Sequence, residues 1–249
     1  MAGAVAGVPA PGGSEPRFVD LARGSAAHVL VEDLDSPVLD EADRHHLGSV
    51  LRLREEEIVS ATDGRGGWRM CRFAAGGRLV AEGTVGSCDR PVPALCVAFA
   101  PVKGDRTEWA VQKLTELGVD RIALLNTERG VVRWEGARAE SHLRKLRAVA
   151  RQALMQSRGL WMPSVEGIIG FEDAAALPGA ALAEPGGSPI SLAAPTVLVG
   201  PEGGWSDRER TEAAGRTVSL GAGVLRAETA AVAAGVLLTA LRAGIVAAQ

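Results

Sequence analysis

Aromatic residues are scarce in this 249-residue chain, which has no tyrosine, five Trp and four Phe. Modules that bind single-stranded RNA by stacking bases on aromatic rings need such side chains, so the composition argues against that class. Cysteine is scarce too. Cys71, Cys88 and Cys96 are an odd number with wide gaps, which fits neither a disulfide framework nor a zinc site built from closely spaced pairs. We therefore expect reduced thiols in a cytosolic protein.

Long hydrophobic runs are missing as well. The most apolar stretch, residues 229–241, has 13 residues, whereas a bilayer-spanning helix needs about 20. Residues 1–15 contain no basic residue and no continuous apolar run, unlike a secretion signal. The sequence predicts a disordered tail over residues 1–15 and a cytoplasmic protein without a membrane segment.

Basic residues are concentrated in one part of a chain whose net charge is −3. Residues 92–161 carry 12 basic and 7 acidic residues, whereas residues 162–249 carry 5 and 9. A helix predicted over about 137–157 aligns several of the arginines along one face. Charge runs are most often solvated helix faces, but a one-sided excess in an acidic chain favours contact with a polyanion such as RNA phosphate.

Hydrophobic patterning changes near Pro91-Val92-Pro93. Before it, short apolar runs are separated by Asp63-Gly64 and Gly76-Gly77, which are hairpin signals, and one helix is predicted at 41–51 behind an Asp40 cap. After it, strands such as 95–100, 121–125 and 196–199 alternate with helices, the pattern of an α/β domain with a largely parallel sheet. We predict a small β-rich domain over 16–91 and an α/β domain over 94–249.

Helix starts in the second domain carry capping signals. Asp105 is followed three residues later by Glu108, and Ser206 by Glu209, so a capping box is expected at both helices. Gly118 is expected to end the first of these helices in the left-handed conformation.

Two glycine-rich loops follow predicted strands: residues 200–204 (Gly-Pro-Glu-Gly-Gly) and residues 220–229. Glycine lets the backbone approach a ligand closely, and open α/β sheets bind small molecules at the carboxyl ends of their strands. A tight connection that needs glycine for backbone reasons alone stays an alternative. Gly221-x-Gly223 begins a dinucleotide fingerprint, but its sixth position is Arg226 and neither loop carries a Walker lysine, so a dinucleotide enzyme is disfavoured.

Charged residues outside the helix faces are candidates for chemistry. Arg226 and Glu228 could form a solvated pair at a helix start, but both lie in the second glycine-rich loop. His45 and His46 are adjacent, so they point apart on a helix, and no metal site is predicted.

Several short motifs occur in a fixed order along the chain. They are His45-His46-Leu47-x-x-Val50-Leu51-Arg52-Leu53, Lys103-Gly104-Asp105-Arg106, Gln112-Lys113-x-Thr115-Glu116-Leu117-Gly118-Val119, Glu128-Arg129, Gln156-Ser157, Gly200-Pro201-Glu202-Gly203-Gly204 and Val224-Leu225-Arg226-Ala227-Glu228-Thr229-Ala230. In order and spacing they resemble the RsmE family, over nearly everything after the first fifteen residues. Two positions depart from the family pattern: Gly223 stands where arginine is usual, and Met155 where glutamate is usual.

The resemblance implies a ribosomal RNA methyltransferase of the SPOUT class. Such an enzyme transfers a methyl group from S-adenosylmethionine to N3 of one uridine in the 16S RNA of the small ribosomal subunit, and works as a homodimer. The implied fold is a PUA-like β-barrel, here residues 16–91, followed by an α/β domain whose C-terminal part is a trefoil knot. A SPOUT enzyme that methylates a ribose 2′-hydroxyl or another base, and a non-catalytic ribosome-binding protein, stay open as alternatives.

Site residues follow from the same resemblance. Arg226 is expected to stabilise negative charge on the uracil carbonyl oxygens, with Glu228 orienting Arg226 or accepting the N3 proton. The cofactor is expected to bind the two loops through Leu198, Gly200, Pro201, Glu202, Gly203, Leu220, Gly221, Val224 and Leu225. The phosphates of the rRNA are expected to contact Lys103, Arg106, Arg129, Arg144, Arg147, Arg151 and Arg158.

Overall fold

The computed structural model describes residues 24–247, so the predicted tail over residues 1–15 lies outside the described part of the chain. The described residues form two compact units. One comprises the chain up to Ala61 together with Trp68–Gly86, and the other comprises Thr62–Gly67 together with the chain from Ser87 onward.

The first unit is built on a four-stranded sheet with the order β1-β2-β3-β4. Cys71 and Phe73, two residues apart on β3, are both buried, as the period of two along a strand requires. The strands are Ala27–Leu30 (β1), Ile58–Thr62 (β2), Gly67–Ala74 (β3) and Arg78–Ser87 (β4).

The helix predicted at 41–51 is present in two parts. An α-helix, Glu41–His45 (α1), continues as a π-helical segment, His46–Val50. Asp40 caps α1 as predicted, because its side chain accepts a 2.7 Å hydrogen bond from the Asp43 N–H.

The second unit is a six-stranded parallel sheet with the order β10-β8-β9-β5-β6-β7. This confirms the predicted parallel α/β pattern. Its strands are Cys96–Phe99 (β5), Arg121–Leu125 (β6), Ser164–Ile169 (β7), Ala180–Pro189 (β8), Thr196–Val199 (β9) and Thr217–Ser219 (β10). Its helices are Arg106–Glu116 (α2), Gly136–Ser157 (α3), Phe171–Ala175 (α4), Asp207–Glu212 (α5) and Ala227–Arg242 (α6).

Helices cover both faces of this sheet, so its central strands are buried throughout. Val97 and Phe99 face one core with α2, α3 and α6, whereas Ala98 and Leu198 face the other with α4 and α5. Among the helices of residues 24–247, none combines the length and apolar character that crossing a bilayer requires.

The two expected capping boxes have different outcomes. At α5 the box is complete: the Glu209 N–H donates to Ser206 Oγ at 3.1 Å, and the Ser206 N–H donates to Glu209 Oε2 at 2.7 Å. At α2 the prediction is wrong, because Asp105 makes no side-chain cap and Glu108 accepts instead from Lys145 Nζ at 2.7 Å. Gly118 follows α2 with a φ of 79°, as predicted.

The long helix α3 buries the apolar face that the sequence predicted, with Leu146, Ala150 and Leu154 in the core. Arg144 and Arg147 lie exposed beside that face. Arg158 differs from the prediction, because it is the left-handed C-cap of α3 (φ 57°) and not a residue of the helix face.

All three cysteines are free thiols. Burial is the main cause that raises the pKa of Cys71 to about 11 and the pKa of Cys96 to about 12. Cys88 is exposed.

Candidate active site

A cavity of about 290 Å³ lies where β9 and β10 end, and three loops form its walls. The first loop, residues 200–204, and the second loop, residues 220–226, correspond to the two glycine-rich loops that the sequence singled out. The second loop was predicted to extend to residue 229 and is shorter, because α6 begins at Ala227. A third segment completes the cavity through residues 183–185 and was not predicted. It is the irregular part of β8 at residues 183–187, called the third loop below.

Trp205 supports the first loop from below. Its side chain is 1% exposed and packs edge-on against Phe171, with ring centroids 5.6 Å apart. A Cβ atom at Gly200 would lie 3.0 Å from the Trp205 ring, which is tighter than ordinary van der Waals contact, so this close approach favours glycine. Trp205 Nε1 donates to the Ala183 carbonyl oxygen at 3.2 Å, which joins the first loop to the third.

Glu209 and Arg129 join the chain after β6 to the first loop and to Ser206, which follows that loop closely. This carboxylate is fully buried, and besides its bond to Ser206 it accepts from the Glu128 N–H at 2.9 Å. The neighbouring Arg129 donates to the Gly203 carbonyl oxygen at 3.1 Å. Hydrogen bonds from Ser206 and then Arg208 hold the pKa of Glu128 below its usual value. The chain after β6 is therefore fastened to the first loop.

The second loop is exposed over residues 221–226. Val224 is 90% exposed, and a Cβ atom at Gly223 would meet nothing within 4 Å. Arg226 is the backbone N-cap of α6, and within residues 24–247 its guanidinium makes no hydrogen bond or ion pair. This side chain is therefore available to a ligand.

Glu228 is buried at the start of α6 and pairs with Arg106, whose Nη1 donates to Glu228 Oε1 at 3.1 Å. The structure thus differs from the expectation that Glu228 orients Arg226. Arg106 also lies 3.7 Å from Glu202 Oε1 in the first loop. The other Glu228 oxygen, Oε2, is buried without a hydrogen-bond partner.

The third loop arises from an irregularity in β8. Leu182 pairs with Thr217 of β10, but the next pairing joins Ser188 to Val218, so residues 183–187 have no counterpart on β10. A Cβ atom at Gly187 would lie 2.7 Å from the Val218 backbone, which explains the glycine. The signal in the sequence was Glu-Pro-Gly-Gly at 184–187, a third glycine-rich turn after the apolar residues 180–183.

Most residues predicted to bind a cofactor line the cavity: Gly200, Pro201, Glu202, Leu220, Gly221, Val224 and Leu225. Two do not. Leu198 points into the core beside Ala98, because alternate residues of β9 face opposite sides of the sheet. Gly203 faces Arg129.

The residues predicted to contact RNA do not all have free cationic groups. Arg106 and Arg129 hold the site loops, and Arg147 donates to the Val165 carbonyl oxygen at 3.1 Å. Lys103 and Arg144 are exposed, whereas Arg151 and Arg158 are half-buried. Within residues 24–247, no group of three or more His, Cys, Asp or Glu side chains is arranged to hold a metal ion.

Comparison with known proteins places this fold and cavity in a defined class. A family model described as an RNA methyltransferase domain matches residues 89–239, and one described as an RNA methyltransferase PUA domain matches residues 39–80. The class is therefore that of RNA methyltransferases with an N-terminal PUA-like domain.

Individual relatives identify the family within this class. Ribosomal RNA small subunit methyltransferase E from Mycobacterium bovis is 33% identical over 220 residues, which cover 79% of this chain and 83% of that protein. The protein of the same name from Synechocystis sp. is 32% identical over 213 residues, covering 77% and 69%. The chain belongs to the ribosomal RNA small subunit methyltransferase E family, which confirms the resemblance to RsmE.

A solved structure is similar over both units. The crystal structure of ribosomal RNA small subunit methyltransferase E from Neisseria gonorrhoeae bound to S-adenosyl methionine has a TM-score of 0.72 at 27% identity. The match covers 86% of this chain and 97% of that one.

Proposed function

We propose that this protein transfers a methyl group from S-adenosylmethionine to N3 of a uridine in 16S ribosomal RNA. The observation that carries the proposal is the cavity between the glycine-rich loops, in a chain of the ribosomal RNA small subunit methyltransferase E family. When bound, S-adenosylmethionine supplies an electrophilic methyl group on its sulfonium.

The residues around the cavity fit this cofactor. The volume of the cavity, about 290 Å³, is close to the lower end of the range for small-molecule sites. Glycines at 200 and 221 leave backbone groups accessible, while the few charged groups are Glu184, Glu202 and Arg210. Leu198 and Gly203 support the loops from behind. The residues that would hold the cofactor directly are Gly200, Pro201, Glu202, Leu220, Gly221, Val224 and Leu225.

Arg226 stabilises the charge that develops on the uracil. A neutral uridine N3 is a poor nucleophile, and loss of its proton places negative charge on the two carbonyl oxygens. Because the Arg226 guanidinium is exposed and engages no other described residue, it can donate to those oxygens.

Glu228 accepts the N3 proton. Its Oε1 is held by Arg106, and its Oε2 is a buried acceptor without a partner. A carboxylate that is fixed by one oxygen and has an unused acceptor at the other is suited to general-base work.

The finer architecture belongs to the same proposal. Residues 16–91 are a PUA-like β-barrel and residues 94–249 the SPOUT domain, with a C-terminal trefoil knot, in a cytoplasmic homodimer. The strand order supports the knot: after β9 the chain reaches β10 on the far side of β8, and α6 then packs back against β5 and β9.

The test of the reaction is methyl transfer from labelled S-adenosylmethionine to small ribosomal subunits that lack the modification, followed by mass spectrometry of the nucleosides. We expect N3-methyluridine. A 2′-O-methylated nucleoside would overturn the proposed specificity, and the absence of any label would count against the activity.

Arg226→Ala tests the catalytic assignment. We expect methyl transfer to fall about 10²–10³-fold, as when one donor to a developing oxyanion is removed. Cofactor binding should stay unchanged, because Arg226 does not line the cavity. Arg226→Lys keeps the charge without the planar donors and should recover part of the activity. Full activity of Arg226→Ala would remove this residue from the mechanism.

RNA binding rests on phosphate contacts of Lys103, Arg106, Arg129, Arg144, Arg147, Arg151 and Arg158. Replacing Arg144 and Arg147, which lie exposed on α3, by alanine should weaken binding of 16S RNA at every sequence and flatten its salt dependence. Arg208→Ala is the matched control, because Arg208 is engaged by Glu128 and Glu172. An unchanged salt slope in the double variant would contradict the assignment.

A further inference from the structure

The third loop brings a charged pair to the cavity that the proposed chemistry does not use. Glu184 and Arg210 both line the cavity, whose walls are otherwise mostly glycine and apolar side chains. Glu184 belongs to the irregular part of β8, and Arg210 lies on α5, directly after the buried Glu209. β8 and α5 thus each contribute one charged side chain to the lining of the cavity, and the two charges are opposite in sign.

Arg210 fixes the Glu184 carboxylate through one oxygen. Its Nη2 and Nε donate to Glu184 Oε1 at 2.8 and 3.2 Å, and its Nη1 donates to the Trp205 carbonyl oxygen at 2.9 Å. Asp207 lies 3.6 Å from the same guanidinium. The second oxygen, Glu184 Oε2, has no hydrogen-bond partner within residues 24–247, and the carboxylate side chain is 23% exposed.

The irregularity in β8 places Glu184 at the cavity. Residues 183–187 are released from pairing with β10, and Trp205 Nε1 holds their first carbonyl group. The loop therefore has a backbone anchor, a side-chain anchor through Arg210, and one free carboxylate oxygen.

We propose that Glu184 is a cofactor-binding residue whose free oxygen accepts hydrogen bonds from the ribose hydroxyl groups of S-adenosylmethionine, with Arg210 as its positioning residue. This inference rests on the proposed function. Carboxylates bind ribose hydroxyls at the strand ends of other α/β nucleotide sites. Because Arg210 already balances the charge of Glu184, the pair suits a neutral hydroxyl donor better than the ammonium group of the cofactor.

The test is calorimetric binding of S-adenosylhomocysteine, and of its 2′,3′-dideoxy analogue, to the full chain. We expect Glu184→Ala to weaken binding of S-adenosylhomocysteine about 10- to 100-fold, as for a lost hydrogen bond to a charged group. The same variant should weaken binding of the dideoxy analogue less than about 3-fold, because the hydroxyl groups that Glu184 would accept from are already missing. Equal weakening of both ligands, or of neither, would overturn the assignment.

Arg210→Ala should weaken S-adenosylhomocysteine binding by a smaller factor, about 3- to 10-fold, because Glu184 stays but loses its fixed orientation. Glu184→Gln keeps a hydrogen-bond acceptor and should recover part of the loss. Arg208→Ala is the matched control, since Arg208 pairs with Glu128 and Glu172 and does not line the cavity. Thermal melting of each variant checks that it folds.

The outcomes separate the two proposals. Wild-type protein that binds no S-adenosylhomocysteine would overturn the proposed function and the role of Glu184 together. Wild-type protein that binds it, with unchanged affinity in Glu184→Ala and Arg210→Ala, would overturn only the role of Glu184.

Discussion

The first and second glycine-rich loops both line one cavity, but they are supported in different ways. Trp205 packs beneath the first loop, and Glu209 and Arg129 fasten it from the side. The second loop is exposed from residue 221 to residue 226. Its side-chain support comes from Ser219 Oγ, which donates to the Gly221 carbonyl oxygen at 3.1 Å and accepts from the Gly221 N–H at 3.4 Å.

We infer that the difference in support reflects different roles of the two loops, cofactor binding for the first and contact with the RNA base for the second. A wall that presents backbone groups to a cofactor must be rigid, because small displacements of those groups lose the hydrogen bonds. In the proposed reaction the second loop brings Arg226 to an RNA base and has to admit and release a large partner, and segments with few buried contacts open most readily. We therefore expect substitutions beneath the first loop to lower the free energy of unfolding, and substitutions in the second loop to affect function alone.

Trp205→Ala should have the largest effect on stability. It removes a fully buried ring from beneath Gly200 together with its hydrogen bond to Ala183. The free energy of unfolding should fall by about 3–5 kcal/mol. Denaturant unfolding monitored by circular dichroism measures this free energy. A loss below about 1 kcal/mol would contradict the inference that Trp205 stabilises the first loop.

Glu209→Ala should rank second. It leaves the N–H groups of Glu128 and Ser206 without their carboxylate acceptor in a buried setting. We expect a loss of about 2–4 kcal/mol in unfolding free energy. Glu108→Ala is the matched comparison, because Glu108 fills the same position of the α2 motif but pairs with a mostly exposed Lys145; its cost should be about 1 kcal/mol or less. Similar losses for both variants would show that the backbone hydrogen bonds of Glu209 do not decide the value of this motif.

Ser206→Ala removes the other half of the α5 capping box. The Glu209 N–H loses its acceptor, Ser206 Oγ, whereas the Glu209 carboxylate keeps both of its backbone donors. We expect a loss of about 1 kcal/mol, smaller than for Glu209→Ala, in the same unfolding measurement. The reverse order would mean that Glu209 acts only within its own helix.

Val224→Ala should have the smallest effect. Its side chain is 90% exposed in the second loop, so the unfolding free energy should change by less than about 0.5 kcal/mol. A loss above about 1 kcal/mol would mean that the second loop is packed as firmly as the first, and the contrast between the loops would fail.

Sequence patterns predicted individual elements well where the signal was local and periodic. The strands at 121–125 and 196–199 have their predicted bounds, and α3 buries its predicted face. The two capping signals show where prediction from a local pattern fails. Both helix starts have a capping residue followed three positions later by glutamate. Only Ser206 has the extended backbone of an N-cap (φ −75°, ψ 165°), whereas Asp105 is at φ −89°, ψ 3°. Glu108, the glutamate of the second motif, accepts instead from Lys145 of α3.

In the candidate site, too, features marked by local sequence could be predicted, whereas contacts between distant residues could not. Glycine content marked the first two loops and their cavity-lining residues, because close approach to a ligand or a ring requires glycine locally. The partner of Glu228 could not be predicted, since Arg106 is 122 residues away along the chain. The Leu198 side chain does not line the cavity, because alternation along β9 directs it into a core, and which face of the sheet each core occupies is a tertiary feature.

By itself, the sequence determined the parallel α/β pattern, the two glycine-rich loops and the family, because each of these is carried by residues close together or in a fixed order. Only the tertiary structure decided that β8 releases residues 183–187 beside β10, that Glu184 meets Arg210 at the cavity, and that Glu209 fastens the chain after β6 to the first loop. These features join segments far apart in the chain, and pairing across such distances depends on how the strands and helices pack, which no local pattern encodes.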